Sequence, residues 1–229
     1  LIIKSKEDIN KLQNNETKVI CMGSVKEYEN SFSISEKKKS NDILYCLGPE
    51  SSFNFRQLLN HYSLKIKYKQ SLEAMKVAED ISLSIDLKLH PIGEQNSLYC
   101  YKKIIKDNHF KNSNIIYGNS IEFISKNYKI LILDFLGSAI IQHIFNLKVP
   151  IILFHKDFDN FVINNNKKSE IRKRCYIARN KIELLELLNK FKAGKLDSKW
   201  SKDIVDNYIY PVDKGNPGKN IAKFIESIV

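Results

Sequence analysis

Ile130-Leu131-Ile132-Leu133-Asp134-Phe135-Leu136-Gly137-Ser138, residues 130–138, decide the reading of the fold. The apolar run 130–133 lacks the polar alternation of a half-exposed strand, so it reads as a strand buried on both faces. Asp134 ends the run, Gly137 supplies a turn, and Ser138 stands where the N-cap of a helix over 139–145 belongs. A buried strand that runs through a glycine turn into a helix is the repeating piece of a parallel α/β sheet.

The same rhythm extends in both directions. Strands are predicted over 43–47, 85–89, 114–117 and 150–154, with helices over 70–79, 98–106 and 121–125 between them. This alternation predicts the α/β class: a Rossmann-like parallel sheet with helices on both faces. Upstream, Ser5 with Asp8 three residues on opens a helix over 4–13, and a short strand over 19–22 stops at Gly23. The polar stretch 27–41, which carries Lys37-Lys38-Lys39, reads as a linker. It divides a linking segment, 1–41, from a Rossmann-like domain, 42–229.

The C-terminal third reads as helical. Ile182, Leu184, Leu185, Leu187, Leu188 and Phe191 form an apolar stripe opened by Asn180 as N-cap, with Glu183 three residues later. A second helix is expected over 198–207. After a Pro- and Gly-rich loop, a last one over 220–228 gathers Ile221, Phe224, Ile225 and Ile228 on one face, and these helices are expected to cap the sheet.

Composition narrows the class. With 229 residues, 43% hydrophobic and 28% charged, the chain buries a sizeable core and is neither disordered nor fibrous. Cys21, Cys46, Cys100 and Cys175 lie far apart without a C-x-x-C pair, which argues for reduced, mostly buried thiols in the cytoplasm rather than a zinc knuckle. No apolar run reaches the roughly 20 residues of a spanning helix. The chain starts at Leu1 without a signal-peptide pattern, so a fragment with a part missing upstream is expected.

A net charge of +11 suits nucleic acid, an anionic membrane face or a phosphorylated substrate. The excess is lysine spread along the chain, with little arginine and no interleaved aromatics, so nucleic acid is not expected as a partner.

In a parallel sheet, ligands bind beyond the carboxyl ends of the strands. That rule selects the loops 48–52, 90–91, 117–120, 134–138 and 155–156. At a helix N-terminus, Gly137 admits the backbone to a phosphate and the Ser138 hydroxyl donates to it. Lys88 and His90 alternate on one strand and point to the same face, where together they neutralise an anion. Each of these features also has an ordinary structural reading: Ser138 as a cap, Lys88 as a solvated lysine, His90 as a half-buried histidine. Asp157-Phe158-Asp159 has the spacing of a cation site, but acidic pairs opening a helix are usually caps, so no metal is expected. Neither a G-x-G-x-x-G fingerprint nor a P-loop is present.

The order of these pieces, from 43–47 through Leu87-Lys88-Leu89-His90-Pro91 and Leu131 to Ser138 to Val149-Pro150-Ile151-Ile152-Leu153-Phe154, resembles the C-terminal half of GT-B transferases that build bacterial surface carbohydrates. Their relatives include capsule and lipopolysaccharide transferases and CDP-glycerol glycerophosphotransferases. The resemblance covers residues 42–228, and 18–23 resembles the strand that links the two halves.

It implies a nucleotide-activated sugar or polyol as donor substrate, no separate cofactor, and a carbohydrate or lipid-linked acceptor. It also implies a cytoplasmic location at the inner face of the membrane. His90 becomes the candidate catalytic residue, stabilising the donor diphosphate with Lys88, Gly137 and Ser138, while Tyr117, Gly118 and Asn119 lie by the base. Many relatives carry a glutamate for the donor ribose four residues after the Ser or Thr; here that position is Gln142, which hydrogen-bonds without charge. The acceptor-binding half normally supplies the catalytic base, so this chain alone is expected to be inactive.

Two other readings stand beside this one. A sugar-nucleotide epimerase needs carboxylates in the cleft for proton transfer, and no suitable pair is evident. A non-catalytic module with a basic face would dock an anionic membrane or polymer, a reading that Gln142 favours.

Overall fold

Short segments that lose both faces to packing form the central strands of this protein. The structure, a computed structural model, describes residues 41–49, 64–91, 94–118, 121–136, 147–160, 165–202 and 217–226. The strands are β1 (Asn41–Cys46), β2 (Ile85–Lys88), β3 (Ser113–Ile116), β4 (Tyr128–Leu133), β5 (Ile151–Phe154) and β6 (Tyr176–Ala178). Between them run α1 (Leu64–Asp80), α2 (Glu94–Asp107), α3 (Ile121–Ile124) with a 3₁₀ turn (Ser125–Asn127), and α4 (Asn165–Arg174). Helices α5 (Lys181–Lys192) and α6 (Pro217–Glu226) follow.

All neighbouring strands pair in parallel, in the order β3-β2-β1-β4-β5-β6. In this Rossmann-like α/β sheet, Ile43 sits between Ile85 and Ile130, and Tyr45 between Leu87 and Ile132. From β1 the chain steps outward through β2 to β3, then returns to β4 on the far side of β1 and steps outward the other way. Right-handed crossovers therefore place α1 and α2 on one face and α4 on the opposite one. The first face buries Ile43, Tyr45, Leu87 and Ile132 against Ala74, Met75 and Ala78 of α1 and Leu184 and Leu188 of α5. The second face is equally apolar, with Leu44, Leu131 and Leu153 fully buried. This is why neither β1 nor β4 shows a polar alternation.

The chain divides into two compact units. One, Lys37–Gly137 with Lys148–Lys199, holds the sheet; the other comprises Leu1–Glu36, Ser138–Leu147 and Trp200–Val229. Helix α6 belongs to the second and carries Ile221 and Ile225 one turn apart, both exposed.

Asn180 caps α5 as expected, its side chain accepting from the N–H groups of Ile182 at 2.9 Å and Glu183 at 3.0 Å. The C-terminal third, however, is not all helical. Tyr176–Ala178 completes the sheet as an edge strand, too short at three residues to register as a period in the sequence. Helix α4, Asn-Asn-Lys-Lys-Ser-Glu-Ile-Arg-Lys-Arg, has no apolar stripe and reads from sequence only as a basic cluster. Residues 198–201 are irregular where a helix was expected to begin. The expected elements at 4–13, 19–22 and 139–145 lie outside the described residues.

Two polar fixtures hold the sheet's ends. Arg174, fully buried, donates from Nη1 to Val149 O at 3.3 Å and also to Ser198 O. Lys199 Nζ accompanies it, bonding Arg172 O and Cys175 O and lying 4.0 Å from the Tyr176 ring centroid. At the amino edge, Asp42 Oδ2 accepts from Ser84 N and Oγ, while Oδ1 pairs with Lys129 at 2.7 Å, so one carboxylate joins β1, the entry to β2, and β4. Partial burial raises the Asp42 pKa, but the bonds from Lys129 and Ser84 outweigh it and leave the pKa below the usual 3.8. A carboxylate lowered in the folded state adds stability above its unfolded pKa and loses it as pH falls through the folded one. The stability difference between the protein and Asp42→Asn should therefore be constant above about pH 5 and shrink below about pH 4. Urea denaturation at a series of pH values measures it; a difference that persists undiminished at low pH would refute the clasp.

Candidate functional site

The carboxyl ends of the strands bring one set of polar side chains together. All five loops chosen from sequence begin one or two residues past a strand, at Gly48, His90, Tyr117, Asp134 and His155. The strand order reverses between β1 and β4, so the crevice that such a sheet offers a ligand opens between Gly48-Pro49 and Asp134-Phe135.

That junction is tightly built. Asp134 Oδ1 accepts the Gly48 N–H at 2.6 Å, both groups being buried. A Cβ on residue 48 would stand 3.1 Å from Phe135 Cγ and 3.2 Å from Asp134 Oδ1, closer than side chains tolerate without a shift. Glycine fits there without displacing a neighbour, because the β1 loop lies directly on the end of β4. Asp134 is thus a positioning residue for the loop, a role beyond the strand stop read from sequence.

His90 lies half-buried beyond β2, with its ring edge-on to Phe135 at a centroid distance of 5.8 Å. Burial lowers its pKa below the usual 6.5, and the charges of Lys67 and Lys88 lower it further, so the imidazole is neutral at neutral pH. Lys88 is not a solvated lysine: it is 5% exposed and its Nζ bonds Leu89 O at 2.7 Å. Burial lowers its pKa, while nearby Glu94 partly restores it.

Lys67 was not foreseen. It lies in the first turn of α1, is 8% exposed, and bonds Pro49 O beyond β1. One turn further, Gln70 reaches across to Phe154 O at the end of β5, and Ser71 Oγ meets Tyr101 Oη at 3.0 Å. Residues 67, 70, 71, 74, 75 and 78 all face inward at helical spacing. The inner stripe of α1 thus turns from apolar to polar as it approaches the carboxyl edge of the sheet. The amphipathic stretch read from sequence started only at Gln70, and the same spacing continued back to Lys67 was the available signal.

On the other side of β2, Gly118 has a left-handed backbone, φ 71°, and its N–H donates to Glu94 Oε1 at 2.9 Å. The first turn of α2 thereby holds the loop after β3, where Tyr117 is half exposed. Asn119, Gly137, Ser138 and Gln142 lie outside the described residues.

The Asp157-Phe158-Asp159 spacing has a structural use. Asp159 is paired with Arg172 and, at 2.6 Å, with Arg179; the bond from Arg179 and both charges keep its pKa low, and Phe158 is buried beneath Arg172. Among the described residues no group of three or more His, Cys, Asp or Glu side chains is arranged to hold a metal ion. Among them, too, no helix is long and apolar enough to cross a membrane. Cys46 and Cys175 are buried free thiols, with pKa values raised by burial, Cys175 to about 12, and Cys100 is a free thiol at intermediate depth.

No family model matches the chain, and no curated protein does. Solved structures do. The Methanocaldococcus jannaschii UDP-GlcNAc 2-epimerase, in complex with UDP-GlcNAc and UDP, aligns with a TM-score of 0.60 at 16% identity, covering 99% of this chain and 60% of that one. The rhamnosyltransferase SpnG with spinosyn aglycone aligns with a TM-score of 0.52 at 11% identity, over 83% of this chain and 47% of that one. TarM from S. aureus, in complex with UDP and saccharide ligands, gives 0.51 at 12%, over 98% and 43%. The chain spans between 43% and 60% of the length of these proteins. At such identities the likeness is one of fold: this chain has the Rossmann-like architecture of a GT-B half.

The junction makes a direct demand. Gly48→Ala should cost about 1–3 kcal/mol, because the added methyl forces Phe135 or the loop aside in a packed site. Equilibrium urea unfolding of the two proteins gives the difference; an unchanged midpoint would mean that the loop does not rest on β4 as described.

Proposed function

We propose that this chain is the donor-binding half of a GT-B transferase, taking a nucleotide-activated sugar or polyol and serving bacterial surface polysaccharide synthesis. The observation that carries the proposal is the gathering of Lys67, Lys88 and His90 at the carboxyl edge, beside the β1–β4 switch point. A nucleoside diphosphate brings negative charge to such an edge, and more accumulates on the phosphate oxygen as the transferred group departs. Cationic and hydrogen-bonding groups fixed in advance in a partly dry site stabilise that charge better than water does.

In this reading Lys67 and Lys88 hold the diphosphate electrostatically, His90 bonds a phosphate oxygen, and Gly48 keeps the loop beside it low. The sequence resemblance assigns Gly137 and Ser138 to the phosphates as well, and Tyr117 with Gly118 and Asn119 to the base. Gln142 takes the ribose hydroxyls as a neutral partner. The acceptor and the base that deprotonates it belong to a second half, which agrees with the chain spanning only part of the proteins it resembles.

The epimerase reading shares this fold but requires proton transfer at the sugar carbon. The carboxylates of Asp134 and Glu94 at this edge are engaged by the N–H groups of Gly48 and Gly118, which favours binding over acid–base work by these two.

Isothermal titration with UDP-, CDP- and GDP-linked donors tests the proposal. One class should bind, and His90→Ala or Lys67→Met should weaken it about tenfold, the loss of one charge-assisted hydrogen bond. Ser138→Ala should weaken it less. Absence of binding by every class, or indifference to all three substitutions, would overturn it.

A further inference from the structure

This inference rests on the donor-binding reading and adds to it how the site handles a proton. His90 stands among cations supplied by two elements. Cys46 pairs with Lys88, and Leu47 N bonds Lys88 O at 3.0 Å, so the register carries Gly48 and Pro49 alongside His90. Pro49 O is the group that Lys67 Nζ bonds from α1. Lys88, two residues before His90 on β2, turns its Nζ to Leu89 O. Both lysines are more than nine-tenths buried. From the end of β4, Phe135 supplies an apolar edge to the ring, and Asp134 is turned to Gly48 N. Glu94 of α2 holds Gly118 N and lies toward Lys88.

We propose that a nucleoside diphosphate ester binding at this edge draws a proton from solvent onto His90, so that donor binding and proton uptake are one event. Before the ligand arrives, charging the half-buried imidazole would place a third positive charge beside two buried ammonium groups, and both the partial desolvation and the repulsion oppose it. The diphosphate reverses the sign of the local field. Its two negative charges offset the two lysines, and a protonated His90 then gains an anionic hydrogen-bond partner. The neutral imidazole picks up one proton from solvent when the donor binds. That proton returns to solvent, or leaves on the phosphate, when the nucleotide departs. The edge is thus less positive while empty and most cationic when the leaving charge must be stabilised.

The test is titration of the full chain with UDP-GlcNAc, GDP-mannose and CDP-glycerol, diphosphate esters whose phosphates do not titrate near neutrality. Runs at one pH in buffers of different ionisation enthalpy count protons. Between the free and bound midpoints of His90 about one proton should be taken up per ligand and affinity should fall about tenfold per pH unit, and both effects should vanish above the bound midpoint. His90→Gln should still bind while losing both the uptake and the pH slope. Lys67→Met should raise the His90 midpoint in the free protein, followed by imidazole proton resonances, which also gives an outcome if the His90 variant does not fold. Binding with no proton uptake, or uptake that survives His90→Gln, overturns this inference and leaves the donor-binding reading intact. No binding of any of the three esters overturns the donor-binding reading, and this inference with it.

Discussion

β1 is hydrogen-bonded along both edges, to β2 on one side and β4 on the other, and the rest of the sheet is hung from those two ladders. Because the chain takes opposite directions from this strand, the crossover helices cannot meet over its carboxyl end, and a crevice opens there. The hydrogen bond from Gly48 to Asp134 then sets how deep that crevice is. It pulls the β1 loop down onto β4, and a side chain on residue 48 would prop it up. Backbone pairing and one buried carboxylate thus fix the floor against which the polar groups of the carboxyl edge are arranged.

Electrostatically, the two ends of the sheet differ in kind. At the amino edge Asp42 and Lys129 neutralise one another in partial contact with water, which serves cohesion. At the carboxyl edge, Lys67 and Lys88 are buried with carbonyl partners and raise the local potential around a histidine. Burying lysines in this way costs stability, and the cost is sensible where an anion completes the arrangement. The Asp159–Arg172–Arg179 group is a third kind: an exposed carboxylate between two guanidinium groups, organising the 3₁₀ turn after β5.

The strands with strong apolar runs were legible because their residues are buried on both sides, as 43–47 and 130–133 show. The candidate loops followed from the strand ends alone, and His90 and Lys88 were found for that reason. Lys67 and Gln70 were not, since a polar residue in a helix reads as solvent-facing unless the sheet beneath it is known. Strand Tyr176–Ala178 escaped because its neighbour β5, distant in sequence terms, supplies its reason to be extended. Helix α4 escaped because its strongly polar sequence offers no stripe, and Arg174 at its end is buried by tertiary bonds that no local pattern announces. The use of Asp159 was not legible either: the sequence offered a helix-opening cap, and its two arginine partners arrive from 13 and 20 residues further along.

The central place of β1 also has a history during synthesis. β2 follows it closely and can pair with it, and β3 with β2, but the other edge of β1 waits for β4, and Gly48 meets Asp134 only across 86 residues. At ordinary translation rates of about 5–20 residues per second, that edge stands open for roughly 4–17 s. Throughout the interval Ile43, Leu44 and Tyr45 present unpaired backbone beside apolar side chains, the combination that recruits foreign strands. The nascent chain is therefore most exposed to misassembly between the emergence of β1 and that of β4, and chaperone capture, if needed, falls in that window.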